Sequence, residues 1–406
     1  MSTSPIGMSG PPVEPFAPEF YQDPHPTYAW LRKHRPVHPV QFPGVRVWLV
    51  TRYEDVRALY NDPRMSVNQE TANTDFHTAG MAYGAGTEMG HSLLFKDPPD
   101  HTRMRTLASK VFSARRIAGW RDTVERITDQ LLDDVAPHQR VDLLGVFCYP
   151  LPIMVIGEVL GIPGNDHRKL RQWMDPLVGL SREEALAGTK SLMAYVREII
   201  TVKRADPSDD VISALIAARD GDRKLTEDEL VGNVFGLISA GFETTANLIG
   251  NGVLALLDHP DQLRLLRENP PLMDSAMEEI LRYDGPTATT IFRFPTEDVR
   301  VGGVVIPAGE PILMALGAAN RDPEVFDDPD ALDIRRGDNA HISFGRGIHH
   351  CLGAALARLE GKTALRTLLR RYPDISLAVS RQQIRYKPAV IVRGLEELPV
   401  VLQPSR

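Results

Sequence analysis

The chain has 406 residues, of which 43% are apolar, 24% charged and 7% aromatic. That is the profile of a globular protein with a large core, not of a disordered, collagenous or repeat-built one. Its net charge of −7 sets up no field that would gather nucleic acid or an anionic membrane, which argues against either as partner. The two cysteines, Cys148 and Cys351, cannot frame a disulfide scaffold or a cysteine-rich metal finger, and they point to a reducing cytoplasm.

In chain order, residues 1–20 read as a flexible Pro/Gly/Ser lead-in with no basic or long apolar run, hence neither a signal peptide nor an anchor. Residues 45–51 (VRVWLVT) alternate like a strand. Residues 107–281 carry mostly helical patterns. Within them, residues 143–157 lack charge but are too short and proline-broken to cross a membrane, so a buried segment is expected. The longest helix is predicted over 226–257, opened by a Thr226/Glu229 capping box and stopped by His259-Pro260; it would be about 48 Å long. Residues 299–307 read as a hairpin around Gly302-Gly303, and the tail near 391–402 is strand-rich. Length alone suggests two or three domains. With no repeat or linker, and with β segments at both ends able to share one sheet, a single mainly α domain with a small β region is expected over residues 21–406.

Two places break local rules. The interior of the long helix carries Ala240-Gly241-Phe242-Glu243-Thr244-Thr245, where a glycine, a carboxylate and two hydroxyls interrupt an apolar run. The plain alternative is a glutamate facing solvent, with Thr244 bonding back to the preceding turn. The second place is Phe344-Gly345-Arg346-Gly347-Ile348-His349-His350-Cys351-Leu352-Gly353, followed by a helical run. The glycines permit a tight turn and Cys351 falls at the helix N-terminus, where dipole and free amides favour a thiolate, a nucleophile or metal ligand. Cys148, among LLGVFCYPLPIMV, reads as core. No second cysteine lies near Cys351, which disfavours zinc.

The pattern Phe-Gly-x-Gly-x-His-x-Cys-x-Gly resembles the haem-binding loop of cytochrome P-450 monooxygenases, with six fixed identities in ten residues. The resemblance implies the cytochrome P-450 fold around haem b, with Cys351 as the proximal iron ligand that pushes electron density to the metal. It implies that Phe344, His349 and Gly353 belong to the cofactor loop. His101 and Arg105, four apart, together with Arg293 and His349, match the family's propionate partners. Glu279 and Arg282 resemble its structural Glu-x-x-Arg pair, joined by Arg336. Ala240 and Gly241 match the groove where the helix bulges for oxygen, and Glu243 and Thr244 match the acid–alcohol pair that delivers protons; many members have aspartate at the acid position.

The resemblance further implies a soluble bacterial-type, monomeric monooxygenase that uses O2 and NAD(P)H electrons supplied by ferredoxin and ferredoxin reductase. Arg103, Arg105, Lys110, Arg115 and Arg116, in a segment (101–119) without acidic residues, would form a basic patch for an acidic ferredoxin. By analogy the substrate pocket is lined by the loop 66–95, a glycine-containing lid, and by Leu237, Ala240, Thr289, Ile291 and Ile391. That lining suits a medium or large hydrophobic molecule of the macrolide, terpenoid or steroid class. Nine lysines against 37 arginines hint at a GC-rich genome and secondary metabolism. A peroxygenase using H2O2 would lack the acid–alcohol pair; a haem-thiolate sensor would need neither relay nor pocket; a haem-free binder would show no Soret band.

Overall fold

The computed structural model describes residues 10–82, 84, 86–135, 140–174, 182–218 and 224–403. The organising element is a helix over Glu227–Asp258, 32 residues long, within one residue of its sequence-derived bounds. Both halves of the capping box form: the Glu229 amide donates to Thr226 Oγ1 (3.3 Å) and the Thr226 amide to the Glu229 carboxylate (2.9 Å). Two orphan amides are thereby satisfied at the helix start. Around this rod pack the helices Pro150–Leu160, Arg182–Ala205, Met273–Asp284 and Ala354–Arg371. The rod is apolar nearly all round, as an element buried on every side must be. Gly250 lets the Leu144 side chain approach the rod closely: a Cβ there would lie 2.8 Å from Leu144 Cδ2 and displace it.

Cys148 is fully buried in this helical core, in a π-turn over Leu144–Cys148, and burial pushes its thiol far up. The uncharged stretch continues as the buried helix Pro150–Leu160, which starts on Pro150, where the missing N–H costs nothing. No helix among the described residues is long and apolar enough to cross a membrane.

Among the described residues the β structure is dispersed over four small sheets. Val37–Phe42 pairs antiparallel with Val45–Val50, which pairs parallel with Ile312–Met314. Val299–Val301 and Val304–Ile306 form the expected hairpin, turning on Gly302 and Gly303 at φ 54° and 83°, values that favour glycine.

Two expectations are corrected. The early strands and the tail do not share a sheet: the tail forms one short strand, Pro399–Val401, paired with Arg140–Asp142 and Ser376–Leu377. The lead-in ends before residue 20, since Pro18–Gln22 is helical and Phe20 is buried against Tyr28, with ring centroids 5.2 Å apart; its first nine residues lie outside the described set.

Candidate functional site

The Cys351 loop is shaped by its glycines. Gly345 and Gly347 adopt φ 69° and 68°, and a Cβ on Gly347 would lie 2.8 Å from the Tyr60 carbonyl oxygen, so the chain turns tightly against Tyr60. The Cys351 amide donates to the Phe344 carbonyl (2.9 Å) and closes the loop. Cys351 stands two residues before the N-cap of the Ala354–Arg371 helix, Gly353, not on its first turn. Burial pushes the thiol up, opposed by the Gly353 amide and by the charges of Arg105 and Arg358. The helix start alone therefore does not make a thiolate here; a metal cation at the sulfur would. Although Cys351 is enclosed by protein, its side chain remains accessible from the cavity it lines.

That cavity, about 330 Å³ and mainly apolar, lies between the Cys351 loop and the middle of the long helix. Phe344, His349, Cys351 and Gly353 line it from one side, and Leu237, Ala240, Gly241 and Thr244 from the other. The long helix passes this point without a π-turn, in contrast to the expected bulge. Thr244 Oγ1 donates to the Ala240 carbonyl (2.7 Å), the back-bond of the plain alternative, yet it does so at the cavity wall. Glu243 is half-buried and does not line the cavity; burial raises its carboxyl to about 7, with Lys387 and Asn247 acting the other way.

A polar rim gathers from three distant segments. His101, from the helix Asp100–Val111, and His349 stack with ring centroids 4.1 Å apart, and Arg105 and Arg293 line the cavity beside them. Burial, then the neighbouring guanidinium charges, lowers His101 to about 4 and His349 to about 3. Both ring nitrogens of His101, His349 Nε2 and Arg293 Nε are buried without a partner. No carboxylate among the described residues lies within ion-pair distance of Arg105 or Arg293. A buried polar group normally has a partner, so these four side chains fit a ligand that brings anionic groups to the rim of an apolar slot, as haem brings its propionates.

The Glu279 carboxylate, fully buried, accepts from Arg282 Nε and Nη2 (both 2.8 Å), from Arg336 Nε (3.1 Å) and from Asn339 Nδ2 (3.0 Å). Arg282 spends its remaining donors on the carbonyls of Asn320, Pro329 and Ala331, which pins the segment leading into the Cys351 loop.

Two expected pocket residues lie elsewhere. Thr289 is fully buried, its hydroxyl donating to the Val390 carbonyl (2.9 Å), and Thr287 and Thr290 line the cavity in its place. Ile391 is outside the lining and contributes its backbone carbonyl to the Ala288 amide (2.8 Å). Ile291 does line it, and of the loop 66–95 only Ser92, Leu93 and Leu94 do; residues 83 and 85 of that loop lie outside the described set.

The basic segment is not a free patch either. Arg103 pairs with Glu229 and Asp100, Arg116 pairs with Asp209, and Arg105 faces the cavity. Sequence reasoning missed Arg358, which lies over the Phe344 ring (4.4 Å) and bonds Glu278 (2.7 Å). It also missed Tyr60, whose ring lies 5.0 Å from the Arg293 guanidinium. Neither has a local motif; each is identified only by the chain segment that folds over it.

A mainly helical single domain whose lone cavity-facing cysteine sits in a glycine-turned loop opposite an Ala-Gly-x-x-Thr helix turn defines a haem-thiolate oxygenase class. The chain belongs to the cytochrome P450 family, whose sequence profile ("Cytochrome P450") matches residues 169–385. It is a cytochrome P450 monooxygenase. It is 46% identical over 397 residues to "Cytochrome P450 107B1" of Saccharopolyspora erythraea, covering 96% of this chain and 98% of that one. It is 42% identical to the "Vitamin D(3) 25-hydroxylase" of Pseudonocardia autotrophica, with 96% of each chain covered. Its fold matches that of the tirandamycin C-bound P450 monooxygenase TamI with a TM-score of 0.89 at 42% identity, covering 95% of this chain and 99% of that one.

Proposed function

We propose that this monooxygenase hydroxylates or epoxidises a medium-to-large hydrophobic molecule of the macrolide, terpenoid or steroid class in the cytoplasm, using NAD(P)H electrons delivered by a ferredoxin and its reductase. One observation carries the reading: Cys351 and the Ala240–Thr244 turn line the same apolar cavity, with His101, His349 and Arg293 holding unpartnered buried atoms at its rim and Arg105 lining it beside them. Cys351 would hold haem b through its iron, and His101, Arg105, Arg293 and His349 would hold its propionates; when bound, the haem would supply the oxygen activation. One oxygen atom of O2 enters the substrate and the other leaves as water with two electrons and two protons.

The chain's own residues do the rest. Phe344, clamped by Arg358, stiffens the Cys351 loop where it lines the cavity. Thr244 offers a hydroxyl at the cavity wall, and Glu243, poised near neutrality behind it, can take up or give a proton at working pH. Leu237, Ala240, Ile291 and Leu94 exclude water and pose the substrate, while Thr287, Thr290 and Ser92 can meet its oxygen functions. The secosteroid named for one relative and the tirandamycin bound to another support this substrate class.

The test is a spin-state screen of the ferric protein against terpenoids, steroids and macrolides, followed by turnover with ferredoxin and reductase. A spin shift and a hydroxylated product from one of these classes support the reading. Failure of every class, or equal turnover with H2O2 alone, overturns it.

A further inference from the structure

Behind Glu243 lies a second polar group that oxygen activation at the cavity does not account for. One turn further along the long helix, on the same face, stands Asn247, and both its amide atoms are buried without a protein hydrogen-bond partner, although its amide lies close enough to act on the Glu243 carboxyl. The chain beside it is the reversal 387–394 of the C-terminal tail. It is closed by the Lys387 amide donating to the Gly394 carbonyl (2.9 Å) and flanked by the Tyr386–Leu395 bridge. The backbone at Gly394 comes close to Asn247: a Cβ there would lie 2.3 Å from Asn247 Oδ1, so a larger residue would push the Asn247 amide aside. The same reversal presents Lys387, whose ammonium donates to the Tyr149 hydroxyl (2.8 Å) and lies 5.1 Å from the centre of that ring. Tyr149 in turn stacks on Phe242, the neighbour of Glu243, at 5.6 Å. One turn of the tail thus brings a cation and a closely approaching backbone to the Glu243/Asn247 face of the helix.

We propose that Lys387, anchored on Tyr149, and Asn247 are positioning residues for Glu243, holding its carboxyl between water admitted at the tail reversal and the Thr244 hydroxyl, so that protons enter the site past the C-terminal tail. This rests on the acid–alcohol reading of Glu243 and Thr244. Each transfer moves one proton inward: Glu243 gives its proton toward Thr244 and regains one from a water held at Asn247. Lys387 is half-buried and the next residue, Pro388, is exposed, so the route has a short way to solvent. Buried amide atoms without partners are where ordered water is expected.

The electrostatics agree with the geometry. Lys387 is the one charge among the described residues that acts directly on Glu243, and it favours the ionised form. The other titratable groups packed on this part of the helix add no free charge: Tyr149 and Cys148 are held protonated by burial, Glu360 of the Ala354–Arg371 helix likewise, and Asp284 is paired with Arg393.

The experiment titrates Glu243 itself in the ferric holoenzyme, following its protonated carboxyl band by infrared difference against Glu243→Gln. Turnover and peroxide release are measured in parallel across pH. Lys387→Met should move the Glu243 midpoint up by about one unit, since an opposite charge nearby holds a carboxyl down by ~1–3 units. The matching limb of the pH–rate profile should move with it, and Lys387→Arg should restore both. Asn247→Leu should leave haem binding intact while slowing product formation and raising peroxide release several-fold. A Glu243 midpoint unchanged in Lys387→Met, or a rate lowered equally at every pH, overturns the role of Lys387. Unaltered coupling in Asn247→Leu overturns the route. Unaltered coupling in Glu243→Gln would instead overturn the acid–alcohol reading beneath both.

Discussion

At the scale of single residues, the site is a set of side chains whose ordinary partners are missing within the protein. Cys351 is the sharpest case, because burial works against its ionisation and the amide and guanidiniums around it only offset that in part. An iron cation would resolve the conflict, so Cys351→Ala should abolish the red-shifted Soret band of the ferrous–CO complex; a band of unchanged position and intensity would remove the cysteine from the ligand role. This residue was legible in sequence because its loop is local, six fixed positions in ten residues that set their own turn. Thr289 was not. An isolated bridge pairs it with Ala315, which turns its hydroxyl into the wall and the hydroxyl of the next residue, Thr290, toward the Met314 amide. In extended chain a shift of one residue exchanges the two faces, and the pairing partner lies 26 positions away.

Among the elements, two helices carry costs that can be measured. On Met273–Asp284, Glu279 and Arg282 are both fully buried as an ion pair. Removing one partner leaves the other uncompensated, at about 3–5 kcal/mol. Glu279→Ala should therefore sharply reduce the yield of folded, haem-loaded protein, and a full yield with an unchanged denaturation midpoint would contradict the assignment.

On Ala354–Arg371, Glu360 faces the cavity, fully buried, with Oε2 unpartnered and its carboxyl pushed well above the usual range by burial. Its folded-state pKa exceeds the unfolded one, so its contribution is fully present below the unfolded value, near 4.3. It is lost as pH rises toward the folded value, at about 1.4 kcal/mol per pH unit. Glu360→Gln should gain on the wild type in urea denaturation between pH 5 and pH 7. A stability difference independent of pH would show that Glu360 is ionised in the fold. The boundaries of the long helix were legible, because a capping box and a proline are local signals. Its lack of a bulge at Ala240–Thr245 was not, because the hydrogen-bond pattern of a buried turn depends on what packs against it.

For the whole molecule, the proposed ferredoxin raises the question of where it would dock. The basic run 101–119 dissolves on folding into two ion-paired arginines and one cavity residue. Arg115 remains exposed, on Ala114–Gly119, a helix packed on Ala354–Arg371, which itself begins just beyond Cys351. Exposed Arg346 and Ile348 of the Cys351 loop add charge and apolar area on the cysteine side. Electrostatic steering to such a surface is screened by salt. Ferredoxin-driven turnover should fall as ionic strength rises from about 0.05 to 0.5 M, while the substrate-induced spin shift stays constant. If turnover is indifferent to salt, charge does not guide the encounter.

The sequence by itself determined the glycine turn of the Cys351 loop and the capped helix, since each rests on residue types whose chemistry is specific at short spacing; the Glu279 network and the rim of His101, Arg105, Arg293 and His349 were implied by the family resemblance and are joined only by folding. Tertiary structure alone decided which hydroxyl faces the cavity, which arginines are free, and that Lys387 and Gly394 come to lie against Glu243 and Asn247. Those outcomes depend on contacts between segments from 26 to 147 positions apart, whose packing no local pattern encodes.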